Sequence, residues 1–173
     1  MRNHLVFFAV LSFLLFGCAQ EETIYEVHGK TIGPSGGKYE GVDGVTLIVP
    51  KNALEEEITF TIYSIDTEPF TNVSATLTNI YSIAPMAYKF KTPVTLLIPY
   101  SEEGIPTLLD ETQLRPYFAI DRKNFEEIPQ GTYEQDLERN IFKLSTQFLG
   151  YFHIGFPKDL VKNENPETSG ISE

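Results

Sequence analysis

The sequence predicts an all-β protein, an immunoglobulin-like antiparallel β-sandwich of about nine strands. Three observations lead there. Short apolar runs alternate with polar residues at a period of two. Turn residues, from 12 Gly and 11 Pro, recur between those runs at close spacing. The 13 Phe and 9 Tyr, with many Thr, Ile and Val, suit a pleated surface better than a helix. At 173 residues the chain has the length of one domain plus flanking segments.

The expected strands follow in order. Segments 25–32 and 38–40 come first, on either side of the turn Gly33-Pro34-Ser35-Gly36-Gly37. Segment 45–49 is almost wholly apolar, as a strand covered on both sides would be. In 57–63, Ile58, Phe60 and Ile62 share one face, with Glu57, Thr59, Thr61 and Tyr63 on the other. Segment 79–83 is the next. Val94, Leu96 and Ile98 form a face between Pro93 and Pro99, with Thr95 and Leu97 opposite. Leu114, Phe118 and Ile120 outline another strand, in which Pro116 signals an edge or a bulge. Segment 141–144 follows. In the last strand Phe148, Gly150, Phe152, Ile154 and Phe156 are expected to point inward, placing Tyr151 and His153 outside. The polar stretch 157–173 has no apolar period and reads as a solvated tail.

The first 17 residues have another character. Arg2 is followed by twelve residues, Leu5 to Phe16, interrupted only by Ser12. As a helix this run would be roughly 18 Å long, against ~30 Å of bilayer hydrocarbon. It is therefore expected to be a signal peptide (1–17) rather than a transmembrane span. The run closes as Leu15-Phe16-Gly17-Cys18, which resembles the lipobox of bacterial lipoproteins. That resemblance implies diacylglycerol on the Cys18 thiol, a palmitate-type acyl chain, a tether over 18–24, and a domain over 25–156. Cys18 is the only cysteine, so no internal disulfide can form. Two or three acyl chains, at about 0.8 kcal/mol per buried CH₂, anchor firmly where one would not. The expected address is a cell membrane, outer membrane by the residues after Cys18, on its periplasmic face or at the cell surface.

The charge balance is 24 Asp and Glu against 13 Lys and Arg, a net charge of −11. So acidic a chain repels phosphate backbones, which argues against nucleic-acid binding. Basic attraction to anionic lipid is also missing, so at a membrane something covalent must hold the chain.

Three phrases resemble the ZU-five domain, the β-sandwich module of ankyrins, netrin receptors and zonula-occludens proteins. The first is Gly36-Gly37 followed by Gly44-Val45-Thr46-Leu47-Ile48-Val49-Pro50-Lys51-Asn52-Ala53. Asn52 stands where the family has Gly, and Asn tolerates the left-handed turn that position needs. The second is Tyr81 to Pro85 with Phe90-Lys91-Thr92-Pro93-Val94 through Pro99-Tyr100. The third is Thr146-Gln147-Phe148-Leu149 through Ile154. Together they span residues 30–156. The resemblance implies a non-enzymatic module for protein–protein contact, with a protein partner in the cell envelope.

Some members of that family cut themselves at His-Phe-Ser. The corresponding residues are Gln147-Phe148-Leu149, which hold neither base nor nucleophile, so the resemblance implies no self-cleavage. Ser35 lies in a turn and lacks the G-x-S-x-G spacing of a hydrolase elbow. His28 and His153 have no ligand-spaced partner, and no metal or other cofactor is expected; His153 reads as an exposed strand residue. Carboxylates cluster at 55–57, 102–103, 110–111, 126–127 and 134–138, and solvated loop charge explains them. Two alternatives stay open: a glycan- or ligand-binding lipoprotein using tyrosines, and an envelope hydrolase using two convergent carboxylates; carboxylates converging as a calcium site are a separate open point.

Overall fold

A computed structural model describes residues 28–65 and 75–161. The signal-peptide segment, Cys18 with its tether, the start of segment 25–32 and the chain after 161 lie outside the described residues. Within them the protein is nearly all β: two antiparallel sheets share one interior. The strands are β1 (Lys30–Ile32), β2 (Gly37–Glu40), β3 (Thr46–Val49), β4 (Ile58–Ile65), β5 (Ala75–Thr76) and β6 (Ile80–Ala84). They continue with β7 (Lys89–Pro99), β8 (Arg115–Ala119), β9 (Glu126–Glu127), β10 (Tyr133–Asp136), β11 (Ile141–Phe148) and β12 (Tyr151–Phe156). All nine expected strands are present in whole or in part; β5, β9 and β10 are additional. One sheet has the order β1-β4-β6-β12-β8-β9, with β5 pairing β12, and the other β10-β11-β7-β3-β2.

The interior is built by period-two faces. Phe60 and Ile62 on β4, and Phe152, Ile154 and Phe156 on β12, meet Leu47, Val94, Leu96, Ile98, Phe142 and Leu144 of the facing sheet. Phe60 stacks on Phe90 at 5.9 Å between ring centres, and Phe152 tilts against Phe118 at 4.9 Å. Turn chemistry fixes the approach of β2 to β3. Gly36 N–H donates to the Gly33 carbonyl (3.0 Å), and Gly36 has φ of +77°. A Cβ there would stand 2.5 Å from the Val49 carbonyl oxygen. Asn52 has the expected left-handed conformation, φ +66°, and its N–H donates to the Pro34 carbonyl (2.8 Å).

Several readings are corrected. β3 is not covered on both sides: Ile48, between its cross-strand neighbours Lys38 and Thr95, is 37% exposed on the outer face. Ile120 lies beyond the end of β8 and is 56% exposed. Phe148 is also exposed rather than inward-facing, because a register shift between Thr146 and Phe148 breaks the alternation. The Thr146 hydroxyl fastens that bulge, accepting from Phe148 N–H (3.1 Å) and donating to its carbonyl (2.9 Å). Leu149 takes the inward position, and the chain crosses to the other sheet at Gly150, where a Cβ would meet the Ala119 carbonyl oxygen at 2.5 Å. The stretch from 157 opens with a helical turn, α1 (Lys158–Val161).

Pro116 sits within β8 between β12 and β9. Its carbonyl accepts from Ile128 N–H (2.9 Å), on the side of β9. A residue's N and C=O point to the same side of an antiparallel strand, so the missing N–H also faces the two-residue β9. The near-edge position explains why Pro is accommodated.

Candidate functional site

The outer face of the β1-to-β9 sheet carries two adjacent cross-strand rows. One runs Tyr63 (β4), Ser82 (β6), Tyr151 (β12), Ala119 (β8). Neighbouring strands lie ~4.8 Å apart, so the two tyrosines flank Ser82 at roughly 10 Å from each other. Tyr63 is 43% exposed and Tyr151 is half-buried. The Ser82 hydroxyl reaches the Met86 sulfur at 3.5 Å, and the Arg122 guanidinium lies 5.8 Å from the centre of the Tyr151 ring. Arg122 is held there by its loop. Asp121 accepts from the N–H groups of Lys123 (3.2 Å) and Asn124 (2.9 Å) and from the Asn124 amide (2.8 Å). Those donors, the Asn124 N–H first, hold the Asp121 carboxyl below its usual range.

The second row contains Ile65 and Ile80, then His153 paired with Tyr117, all beside a buried Phe125. Tyr151 and His153 do face away from the interior, as expected, but His153 is fully buried. The Tyr117 ring stacks on its imidazole at 5.0 Å and 9°, and Phe125 meets it edge-on at 4.7 Å. Neither imidazole nitrogen has a hydrogen-bond partner among the described residues. Burial pushes the His153 pKa down to about 4, and the Ile154 backbone opposes this more weakly. Burial likewise pushes the Tyr117 hydroxyl up to about 12, with Glu127 adding to it. His153 is therefore neutral at pH 7, in an apolar packing role.

The remaining polar groups act as ties. The Asp43 carboxylate, on a residue with φ +54°, accepts from Ser64 (3.2 Å) and Asn79 (3.3 Å). Burial, and then the proximity of Asp43, raise the Tyr81 hydroxyl pKa. The Tyr100 hydroxyl donates to Glu111 (3.1 Å) and accepts from the Gln135 amide (3.1 Å). Asp110 caps the short turn 111–113, Glu55 pairs with Lys91 (2.7 Å), Glu127 with Arg115 (3.6 Å) and Glu134 with Lys143 (2.9 Å). The carboxylates that formed sequence clusters are thus distributed among separate structural roles. Among the described residues no group of three His, Cys, Asp or Glu is placed to hold a metal ion. No described helix is long and apolar enough to cross a membrane. Ser35 and His28 stay apart from these rows; the His28 carbonyl accepts from the Tyr39 hydroxyl (2.7 Å) beside an open depression of about 590 Å³.

Alternation found Tyr63 and Tyr151 on the outer face, but Met86 and Arg122 sit in loops where no period points to them. A β-sandwich whose exposed sheet face presents tyrosine, methionine and arginine has the composition of an interaction module. Residues 29–105 match the family model of the ZU5 domain. No curated protein sequence matches the chain. The match ends before β8, whereas the resemblance read from the sequence ran on to 156.

Proposed function

We propose that this protein is a lipid-anchored envelope protein whose ZU5 β-sandwich serves as a non-enzymatic interaction module. The ZU5 match over residues 29–105 carries the interaction half of this reading, since ZU5 domains are protein-interaction modules. The anchoring half is supported by the sequence Leu15-Phe16-Gly17-Cys18, placed where the apolar run stops. In this reading the signal peptide ends at residue 17, Cys18 bears the acyl chains, and 18–24 tether the domain to the outer membrane. Gln147-Phe148-Leu149 leaves the chain uncut: Leu149 is buried and offers no hydroxyl.

Intact mass of the protein purified from detergent-solubilised bacterial membranes tests these points together. The expected result is one species running from Cys18 to Glu173 with acyl mass on the cysteine. Cys18→Ser should leave an unprocessed precursor without acyl mass. A Ser variant still cut after residue 17 would overturn the lipoprotein assignment, and two fragments meeting near Phe148 would overturn the non-enzymatic one.

A further inference from the structure

The outer face of the β1-to-β9 sheet carries a small second core of its own. With the register of β6 and β12 carried one step on, a cross-strand row runs Ile65, Ile80, His153, Tyr117, Glu127. Ile80, Tyr117, Ala119 and Phe125 are buried there, apart from the main interior. Phe125 comes from the loop between β8 and β9, so residues 121–127 form a roof over the row. That roof is lightly fastened. Phe125 is buried, but every other residue of 121–127 is exposed. β9 is two residues long and pairs with β8 at the edge of the sheet. The Ile128 N–H bond to Pro116 and the Glu127–Arg115 pair at 3.6 Å complete the attachment.

Beneath the roof His153 is fully buried, and neither imidazole nitrogen has a hydrogen-bond partner among the described residues. A neutral ring is tolerated between the Tyr117 and Phe125 rings. An imidazolium, with a full charge and two N–H donors, is not. The charged groups nearby do not relieve it. On β8 and β9 these are Arg115, Glu126 and Glu127, in the loop Asp121, Arg122 and Lys123, and on α1 Lys158 and Asp159; β4, β5 and β6 bring none. Glu127 and Asp159 act on the Tyr117 hydroxyl, with Arg115 opposing them, whereas the imidazole answers to burial and, more weakly, to the Ile154 backbone. Asp121 is engaged by its own turn. β12 cannot give way, being a central strand between β6 and β8 with Phe152 and Ile154 in the main interior.

We propose that residues 121–127 are a flap that lifts when His153 takes up a proton, opening the outer face while both sheets stay folded. Lifting breaks the pairing of β9 with β8 and removes Phe125 from the row. It gives the imidazolium water and uncovers Ile80 and Tyr117, so mild acid turns a closed, neutral row into an open, cationic and apolar one. With the flap down the imidazole has a pKa of about 4, and with it up the ordinary 6.5 returns. The ratio of open to closed molecules therefore rises roughly twentyfold from pH 7 to pH 5.

Native-state hydrogen exchange of the full-length protein in detergent tests this. Alternation along the β8–β9 pair puts the Phe118 and Glu126 amides in its hydrogen bonds. After correction for intrinsic exchange, protection of a peptide covering 115–128 should fall roughly twentyfold from pH 7 to pH 5. It should lie below that of a β7 peptide throughout and be insensitive to low urea, as a local opening is. His153→Leu should abolish the fall and Glu127→Gln should keep it, which separates the imidazole from the neighbouring carboxylate. In the parent, the His153 ring-proton signal should titrate in step with those amides, a readout that stands even where His153→Leu fails to fold. Protection of 115–128 that is flat with pH would overturn the proposal, because opening would then give His153 no access to a proton. Protection equal to that of β7 at every pH would overturn it too, because the roof would then open only with the whole domain.

Discussion

The two halves of the chain, 29–105 and 106–156, build one interior, with the larger share of its buried apolar residues from the first, yet differ in how openly they display it. The first half supplies β1-β4-β6 of one sheet and β7-β3-β2 of the other. The second half adds β12 and β8 to the open side of β6, and β11 and β10 to the open side of β7. Residues matching the ZU5 family model therefore end halfway through both sheets. A family match marks where sequence is recognisable, which here is not where a core closes.

The sharpest break of this comparison is truncation. A fragment ending at Ile105 leaves two strand edges unpaired and exposes one side of the interior, including the faces of Val94, Leu96 and Ile98. It is expected to show no cooperative thermal transition, whereas residues 28–161 should melt in one step. A cooperative melt for the short fragment would mean that the second half is an accessory to the fold.

Single substitutions weigh the halves against each other. Phe60 and Phe152 are both fully buried in the shared interior, one from each half. Replacement of either by Ala should cost roughly 3–5 kcal/mol, the range for large buried aromatics. Urea denaturation checks this, and a Phe152→Ala cost under about 1 kcal/mol would make the halves unequal.

His153 belongs to the second half alone and sets its response to acid. Its folded pKa, about 4, lies below the ordinary 6.5, so between those values the unfolded chain binds the extra proton. The stabilisation is present above pH 6.5 and is lost as pH falls to about 4, a total of about 3 kcal/mol. The lowered carboxyls of Asp110 and Asp121 titrate below that window. His153→Leu should flatten the stability profile from pH 6.5 to 4. Equal slopes for variant and parent in denaturation curves would assign the acid response to other groups.

The same division governs what the sequence revealed. In the first half Ile58, Phe60 and Ile62, and Val94, Leu96 and Ile98, lie on uninterrupted strands, so a period of two located their faces. In the second half a bulge at Thr146 and the crossing at Gly150 shift the phase, and Phe148 was misplaced by carrying it across. His153 failed for a different reason. Its direction was legible, but the burial of an outward face depends on Phe125 and Tyr117, which are distant in sequence. Short β5, β9 and β10 hold too few residues to show a period. Of the exposed outer face around Ser82, only Tyr63 and Tyr151 could be read from alternation.

The smallest expected effect lies at Asn52, where the readable half departs from the family it resembles. Its φ of +66° is strained for a residue with a Cβ, and Gly would relieve up to about 1 kcal/mol of that. Gly also widens the unfolded ensemble, which costs about 0.4–1 kcal/mol in the opposite sense. The backbone bond from residue 52 N–H to the Pro34 carbonyl (2.8 Å) survives the change, and the side chain is exposed. Asn52→Gly should therefore leave stability within about 0.5 kcal/mol, a shift of roughly 1–2 °C in melting temperature for a domain of this size. Asn52→Val, β-branched at positive φ, should cost about 1–2 kcal/mol in the same assay. If Gly destabilised the protein as much as Val, the turn would depend on the Asn side chain itself, and its likeness to the family's glycine turn would be only superficial.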